Sequence, residues 1–484
     1  MKHFFDLFEQ NYPLKFLGDN QEIAELFFDS RKAKKNSVFF AIPGTQVDGH
    51  QFIDQVINAG CTCLVLEKIP EQLPNNVSIV QVKDANEALA SAAGAFYDFP
   101  SKKIQLVGIT GTNGKTTSVT LLFELFKNLG NRCGLISTVQ NKIQDQVIPS
   151  THTTPDALQL NQLLAEMVQA GCTHVFMEVS SHAVVQKRIH GLDFKLAIFS
   201  NITRDHLDFH QTFDEYIKAK KGFFDMLGKH SIALTNADDK RGEVMLQNTS
   251  ATKKTYGILH IADFKGKILS NEISGLQLNF DGKTFHAQLI GNFNAYNLLA
   301  IYASAILLGE NQEEVILQLS NLRTAPGRFE QFVGIDQKMG IVDYAHTPDA
   351  LENVLKTIQA IRQKNQKIIT VIGCGGNRDT GKRPIMAEIA SKLSDYVVLT
   401  SDNPRMEDPA VILQQMEAGI PKNKTLAYRI INDRREAIRM AINEIAQAGD
   451  IILVAGKGHE TYQDIQGVKH HFDDKEEIKY WLKS

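Results

Sequence analysis

The chain has 484 residues, 43% hydrophobic and 22% charged, and its 52 Lys+Arg against 55 Asp+Glu leave a formal net charge of -3. That length exceeds one ordinary core and predicts several domains. The near-neutral charge argues against a general electrostatic nucleic-acid binder, and apolar residues spread along the whole chain argue against disorder. Cys61, Cys63, Cys133, Cys172 and Cys374 show no metal-like spacing and read as reduced, buried thiols. Acidic residues interrupt the apolar start, so no signal peptide is expected, and no run approaches the ~18–20 apolar residues of a membrane span. The expectation is a cytoplasmic protein.

In chain order, strands are predicted at 37–42, 63–66 and 77–82. Asp84 with Glu87 three residues on opens an alanine-rich helix through Tyr97 as a capping box, and Asp98-Phe99-Pro100-Ser101 ends it. Strands at 104–109, 132–138, 174–179, 196–200 and 232–236 then alternate with helices at 116–129, 156–170 and 213–227, the rhythm of a mostly parallel α/β sheet. Residues 255–290 read as short antiparallel strands, and a helix follows over 295–308. Ala325-Pro326-Gly327-Arg328 marks a second boundary. Strands at 340–344, 367–373, 396–400, 426–430 and 450–455 follow, again separated by helices. The fold class is therefore α/β in three domains, over residues 1–100, 101–325 and 326–484.

The strongest chemical signal is Gly111-Thr112-Asn113-Gly114-Lys115-Thr116-Thr117. It follows an apolar strand and opens a helix, the context in which backbone N–H groups and a helix N-terminus face phosphate. Lys115 would neutralise the outer phosphates and the Thr116 hydroxyl would touch Mg²⁺. The spacing departs from the standard phosphate loop, because Ile109 stands where the first glycine belongs. Glu178 sits near the end of one strand and Asp205-His206 follows the strand that ends at Asn201, and both strand ends are expected on the phosphate-loop side of the sheet, where ligands of open α/β folds bind. A carboxylate and an imidazole there, with Thr116 and phosphate oxygens, suit Mg²⁺.

Asn236-Ala237-Asp238-Asp239 ends another strand, within reach of a ribose or base. Asn294 and Asn297 begin a helix, where N-capping is the plain reading. His346 in Asp343-Tyr344-Ala345-His346 is uninformative alone. In the third domain, Gly373-Cys374-Gly375-Gly376-Asn377-Arg378-Asp379, Asp402-Asn403-Pro404-Arg405 and Gly456-Lys457-Gly458-His459-Glu460 follow three strands. Their mixture of arginines and carboxylates suggests a pocket for a small zwitterion. The plain alternative is surface loops, with Arg405 paired to Glu407 or Asp408.

Together the phosphate loop, Glu178-Val179-Ser180-Ser181-His182, Asn201-Ile202-Thr203-Arg204-Asp205-His206-Leu207-Asp208 and Asp343-Tyr344-Ala345-His346 resemble the Mur ligases, the ATP-dependent amide-forming enzymes of peptidoglycan precursor synthesis. The resemblance covers nearly the whole chain. Asp29-Ser30-Arg31, Thr153-Thr154-Pro155 and Asp402-Asn403-Pro404-Arg405 place it nearest the member that extends UDP-N-acetylmuramoyl-L-alanyl-D-glutamate by a third residue. It implies an N-terminal UDP-substrate domain, a central phosphate-loop ATPase-like domain and a C-terminal Rossmann-like domain for the incoming amino acid, in a monomeric enzyme with small-molecule substrates and no nucleic-acid partner.

By the same resemblance Ser30, Thr45, Gln46 and Val47 hold the UDP end. Thr153, Thr154, Ser180, Gln186 and Arg188 line the muramoyl-dipeptide path. Gly111 to Thr117, Asn294, Asn297 and Arg328 serve ATP. Thr116, Glu178, His206 and a carbamate on Lys220 hold Mg²⁺. His152 stands where the family often has Asn. Arg378, Asp402, Asn403, Pro404, Arg405, Gly456 and Glu460 take the amino acid, expected to be meso-2,6-diaminopimelate, whose distal carboxylate suits the Arg405 guanidinium better than the ammonium of L-lysine would. Lys220 is one of three lysines on its helix, and the Tyr-x-x-Ala-Lys spacing selects it over Lys221. The rival readings are ligation of L-lysine, a folylpolyglutamate synthetase, and a nucleotide-switched binding protein.

Overall fold

The computed structural model describes residues 2–9, 13–44, 47–150, 152–421 and 427–483. Three sheets carry most of the chain. The first has five strands, in the order Lys15–Leu17, Ser78–Gln81, Cys63–Leu66, Ser37–Phe40 and Glu25–Phe27, parallel except for the first. The helix Ala85–Phe96 packs on it through its alanine face. Asp84 caps this helix, its carboxylate accepting from the N–H groups of Asn86 and Glu87. The reciprocal half of the predicted capping box is absent, because Glu87 pairs with Lys187 at 2.7 Å instead. The helix stops where Asp98 and Phe99 both take positive φ, 59° and 49°.

The central sheet has eleven strands. Its parallel core runs Cys133–Ile136, His174–Glu178, Gln105–Thr110, Phe194–Phe199, Ile232–Asn236 and Thr252–Gly257. The Gln105–Thr110 strand lies between two buried neighbours under helices on both faces, so it is apolar almost throughout, as such strands must be. Gly108 has no room for a side chain: a Cβ there would lie 2.6 Å from the Phe223 ring and 2.7 Å from Phe194. The segment predicted as antiparallel differs in part. Phe264–Glu272 first joins Thr252–Gly257 in parallel, and then leads the antiparallel meander Gly275–Phe280 and Lys283–Ala287. A further hairpin, Gln140–Ile143 with Gln146–Pro149, extends the other edge.

Register sets the site. Glu178 pairs with Ile109, and Phe199 pairs with Thr110 on one side and Thr235 on the other. The carboxyl ends of four strands therefore reach one rim together, and the phosphate loop, Glu178 and the 200–206 loop all emerge there.

The third sheet has six strands, Glu330–Val333, Met339–Asp343, Ile451–Ala455, Ile368–Ile372, Tyr396–Thr400 and Ala427–Ile431, parallel after the first. The predicted strand at 426–430 thus starts at Ala427, with residue 426 outside the described residues. The last helix, Asp474–Trp481, is pinned to the helix Arg434–Met440 by a fully buried Arg434–Asp474 ion pair at 2.7 Å, and Arg434 also donates to the Ala455 carbonyl at the sheet's strand end at 3.1 Å. No helix among the described residues is long and apolar enough to cross a membrane. All five cysteines are buried and free.

Candidate active site

The phosphate loop turns on two glycines. Gly111 and Gly114 take φ of +152° and +85°, and a Cβ on Gly114 would meet Asn297 Oδ1 at 2.5 Å. The loop is tied to the 200–203 loop. Thr112 N–H donates to the Asn201 carbonyl at 2.8 Å, Asn113 N–H to Asn201 Oδ1 at 2.9 Å, and the Ser200 hydroxyl to the Asn113 carbonyl at 2.7 Å. The helix Lys115–Asn128 then begins with Thr116 and Thr117 buried, and the first-turn N–H groups of such a helix have no intrahelical acceptor. Lys115 folds over the loop and donates to the carbonyls of Gly111 and Thr112 at 3.0 and 2.9 Å.

Lys220 lies beneath the same loop. It projects from the helix Phe213–Asp225, is 1% exposed, lies 4.5 Å from the centre of the Tyr216 ring, and donates to the Gly111 carbonyl at 2.8 Å. Burial, reinforced by the nearby Lys115, pushes its pKa well below the ordinary lysine value. Lys221 points away, to Asp225 and the Gln247 carbonyl. His206 sits at φ 54° with its ring 3.4 Å from the Asp205 carboxylate, and desolvation pushes its pKa down to about 4.

Glu178 is completely buried at its strand end. Its Oε1 accepts from the Thr138 N–H at 2.8 Å, while Oε2 is buried and has no partner among the described residues. A buried carboxylate oxygen left bare is costly unless a cation or donor completes it. The Thr116 hydroxyl, another hard oxygen, lies on the same rim. Among the described residues no group of three or more His, Cys, Asp or Glu could hold a metal. The residues thus suit a hard cation that takes its remaining ligands from phosphate or water.

Around Glu178 the structure brings together the residues expected on the dipeptide path. The Thr154 hydroxyl donates to the Glu178 carbonyl at 2.8 Å, and the Ser180 N–H to Thr154 Oγ1 at 3.1 Å. Thr138 Oγ1 reaches Thr153 Oγ1 at 3.1 Å, and Arg188 donates to the Thr154 carbonyl at 2.6 Å and to Gln186 Oε1 at 2.9 Å. Ser180 also caps the short helix Ser181–Val185. His152 is exposed, with its carbonyl accepting from Ser150. Thr138 was not anticipated, because a backbone N–H donor leaves no mark in residue type.

Two expectations need correction. Asn294 and Asn297 are not caps: the helix Asn292–Leu307 starts after Gly291, without a side-chain cap. Asn294 instead donates to the Ile290 carbonyl, and Asn297 donates to Asn294 Oδ1 at 3.1 Å while abutting Gly114. In the strand-end sequence 236–239, Asp238 is saturated by the N–H groups of residues 258–260 and the Tyr296 hydroxyl, so it is spent on folding a loop.

The third domain also touches the phosphate loop. Arg328 lies 4.5 Å from the centre of the Tyr344 ring and donates to Thr116 Oγ1 at 3.2 Å. Asp349 accepts from Asn113 Nδ2 at 2.7 Å and from the Thr203 hydroxyl at 3.3 Å. Asp349 gave no signal in sequence, since an acidic residue in a helix first turn is the ordinary choice. Buried Asp343 accepts from the Phe329 N–H at 2.7 Å, and burial pushes its pKa up to about 6.

At the strand ends of the third sheet the three loops meet. The Arg405 backbone sits at φ 52°, and its guanidinium donates to the Gly376 carbonyl at 2.7 Å. The predicted alternative, pairing with Glu407 or Asp408, does not occur: Glu407 is taken by buried Arg383 at 2.9 Å, and Asp408 caps the helix Pro409–Glu417. Among the described residues Arg405 makes no ion pair; its guanidinium also crowds Gly375, and exposed Arg378 packs beside that glycine. Pro404 lies against Gly376, and Gly456 against Asp402, at distances a Cβ would violate or crowd. Asn403 donates to Glu460 at 2.7 Å. In the first domain Ser30 starts a short 3₁₀ turn and Val47 is half-exposed, while Thr45 and Gln46 lie outside the described residues.

Comparison with known proteins agrees with this geometry. The model of the Mur ligase middle domain matches residues 109–305, that of the Mur ligase glutamate ligase domain residues 327–458, and that of the Mur ligase family catalytic domain residues 22–97. A protein of Cytophaga hutchinsonii named UDP-N-acetylmuramoyl-L-alanyl-D-glutamate--2,6-diaminopimelate ligase is 59% identical over 465 residues, 95% of each chain. A protein of Parabacteroides distasonis with the same name is 52% identical over 96% of each. A solved structure of a ligase of that name, 33% identical, superposes with a TM-score of 0.68 over 96% of this chain and 95% of the other. With relatives this similar along its whole length, the chain belongs to the Mur ligase family of ATP-dependent ligases.

Proposed function

We infer that this protein joins meso-2,6-diaminopimelate to the D-glutamate of UDP-N-acetylmuramoyl-L-alanyl-D-glutamate, with ATP as the driving reactant, in peptidoglycan precursor synthesis. The observation that carries the reading is whole-chain identity of 50–59% to five ligases of that name. A carboxylate is a poor acyl donor. The D-glutamyl carboxylate therefore attacks the γ-phosphorus of ATP, expelling ADP and forming an acyl phosphate. The amine nitrogen of the amino acid then attacks the acyl carbon, gives up a proton, and phosphate leaves.

The residues divide this work by position. Residues 111–117 cradle the ATP phosphates, and Lys115 exchanges its carbonyl partners for phosphate oxygens. Thr153, Thr154, Ser180, Gln186 and Arg188 lead the muramoyl dipeptide to the Glu178 rim, and Ser30 and Val47 lie toward the uridine end. Thr116, Glu178 and His206 would hold Mg²⁺, with Lys220 as a carbamate; when bound, the ion offsets repulsion between two anions brought into contact. Burial that lowers the Lys220 pKa favours the neutral amine that carbamate formation needs, which supports Lys220 over Lys221, whose ammonium is paired with Asp225 away from the loop. We take the functional units as residues 1–100, 101–325 and 326–484.

Phosphate release tests the reading. A ligase releases phosphate at its full rate only when the UDP-muramoyl dipeptide and the amine are both supplied with ATP. Release that is indifferent to both would favour a nucleotide-switched binding protein, and release with a folate acceptor would favour a folylpolyglutamate synthetase.

A further inference from the structure

Behind the Arg405 loop lies a lysine that the mechanism above does not use. Lys457 is 0% exposed, in the turn after the strand Ile451–Ala455. Its ammonium lies 3.1 Å from Glu460 Oε2, 3.2 Å from Asn403 Oδ1 and 3.7 Å from Asp402 Oδ1, and it also donates to the Tyr462 carbonyl. The arrangement is closed. Asn403 Oδ1 accepts from Lys457 and from the Asp464 N–H at 2.9 Å, which turns its amide so that Nδ2 donates to the same Glu460 oxygen at 2.7 Å. Glu460 Oε1 makes no hydrogen bond among the described residues. Asp402 Oδ1 is buried and lacks one too.

Two carboxylates in a protected pocket repel each other. Burial and the charge of Asp402 both raise the Glu460 pKa, and Lys457 opposes them. Charge and geometry thus meet at one ammonium, which fixes one Glu460 oxygen, orients Asn403 and offsets the second carboxylate. A neutral Glu460, or one swung away, could not offer an anionic oxygen to an ammonium.

We propose that Lys457 is a positioning residue for the amino-acid substrate: it holds Glu460 ionised and aimed, so that Glu460 Oε1 receives the ammonium at the end of the side chain while Arg405 receives the carboxylate. This deepens the proposed function and rests on it. Lys457 touches no substrate atom in this scheme; it acts through Glu460.

A double-mutant cycle tests the proposal, read as KM for diaminopimelate with ATP and UDP-muramoyl dipeptide saturating. Lys457→Met should raise that KM ~30-fold or more, the scale for unpairing a buried charge, with kcat and the KM values of the other two substrates within about 2-fold. In the Glu460→Gln background, where Lys457 has no Glu460 charge to hold, the same substitution should change KM less than about 3-fold. If Lys457→Met fails to fold, Glu460→Gln alone against the double variant still decides, because equal KM values support the proposal. Lys469, 4.3 Å from the Tyr462 ring but on an exposed strand, is the control, and Lys469→Met should leave KM unchanged. A Lys457 penalty that persists undiminished in the Glu460→Gln background, or a fall in kcat with KM intact, overturns the proposal. Wild type that uses L-lysine and refuses diaminopimelate would instead sink the substrate reading, and the cycle is then read on L-lysine.

Discussion

Glu178 shows how far a single residue can be read. Its type and its place at a strand end were plain in sequence, but the property that matters, one oxygen held by Thr138 N–H and the other bare, exists only in the fold. Lys115→Ala and Glu178→Gln should leave the melting temperature near wild type and cut ligation by ~10²–10³ or more each, because both stabilise charge on the transferring phosphoryl group. Near-normal turnover in either variant would remove that residue from the mechanism. The lysine pair gives a sharper contrast. Lys220→Ala should be nearly inactive and regain part of its rate with added formate or acetate, whereas Lys221→Ala, which loses a pair with Asp225 and a hydrogen bond to the Gln247 carbonyl away from the phosphate loop, should keep most of its activity. The reverse result would place the functional lysine one residue on. Lys457 and Asp349 were not singled out because buried carboxylate–lysine geometry and interdomain contacts depend on which loops meet.

Elements were legible wherever apolar period and punctuation agreed. Apart from Thr252–Gly257, which falls partly in the segment read as antiparallel, the parallel strands of the central and third sheets fall within about two residues of prediction, since strands buried on both faces are apolar along their length. The hairpins Gln140–Ile143 with Gln146–Pro149 and Tyr462–Ile465 with Val468–His471 escaped notice, because short half-polar strands lack that signature. The turn into the phosphate-loop helix makes its own prediction. Gly114→Ala places a Cβ both at positive φ and 2.5 Å from Asn297, whereas Gly130→Ala meets the same φ, +87°, in open space. Gly130→Ala should cost ~1 kcal/mol of backbone strain. Gly114→Ala should cost more in a denaturant melt and weaken ATP binding as well. Equal costs and unchanged ATP affinity would mean that the Gly114–Asn297 contact is idle.

Across the whole molecule, the order of the sheets carries the chemistry: the rim of the second sheet faces loops of the third, with Arg328 on Thr116 and Asp349 on Asn113 joining them. Burial at this junction and in the core also sets the pH response. Burial depresses His174 and His346 to about 4 and His459 to about 3, below the ordinary value of 6.5. A depressed histidine contributes stability that is present above the unfolded pKa and lost as pH falls through the window from about 6.5 toward 4. Asp343, raised to about 6, acts oppositely, its contribution fading as pH rises through that value, and raised Asp349 and Glu460 act with it, while His206, also depressed to about 4, joins the other three histidines. The melting temperature should therefore fall between pH 7 and pH 5, and a melting temperature that rises on acidification would contradict these burial effects.

The central claim is the identity of the ligation, and beside the whole-chain identity to ligases of that name it draws on a pocket in which, among the described residues, Arg405 makes no ion pair while Glu407 and Asp408 are occupied elsewhere. The direct measurement is a competition: ATP, UDP-muramoyl dipeptide and equal concentrations of meso-2,6-diaminopimelate and L-lysine, with products separated by mass. Lysine would leave the Arg405 guanidinium without its carboxylate, a loss of ~2–5 kcal/mol for a buried charged pair. The expected result is a product carrying diaminopimelate in at least ~30-fold excess, with that excess collapsing in Arg405→Ala. A wild-type product carrying mainly L-lysine, or none carrying either amino acid, would contradict the account.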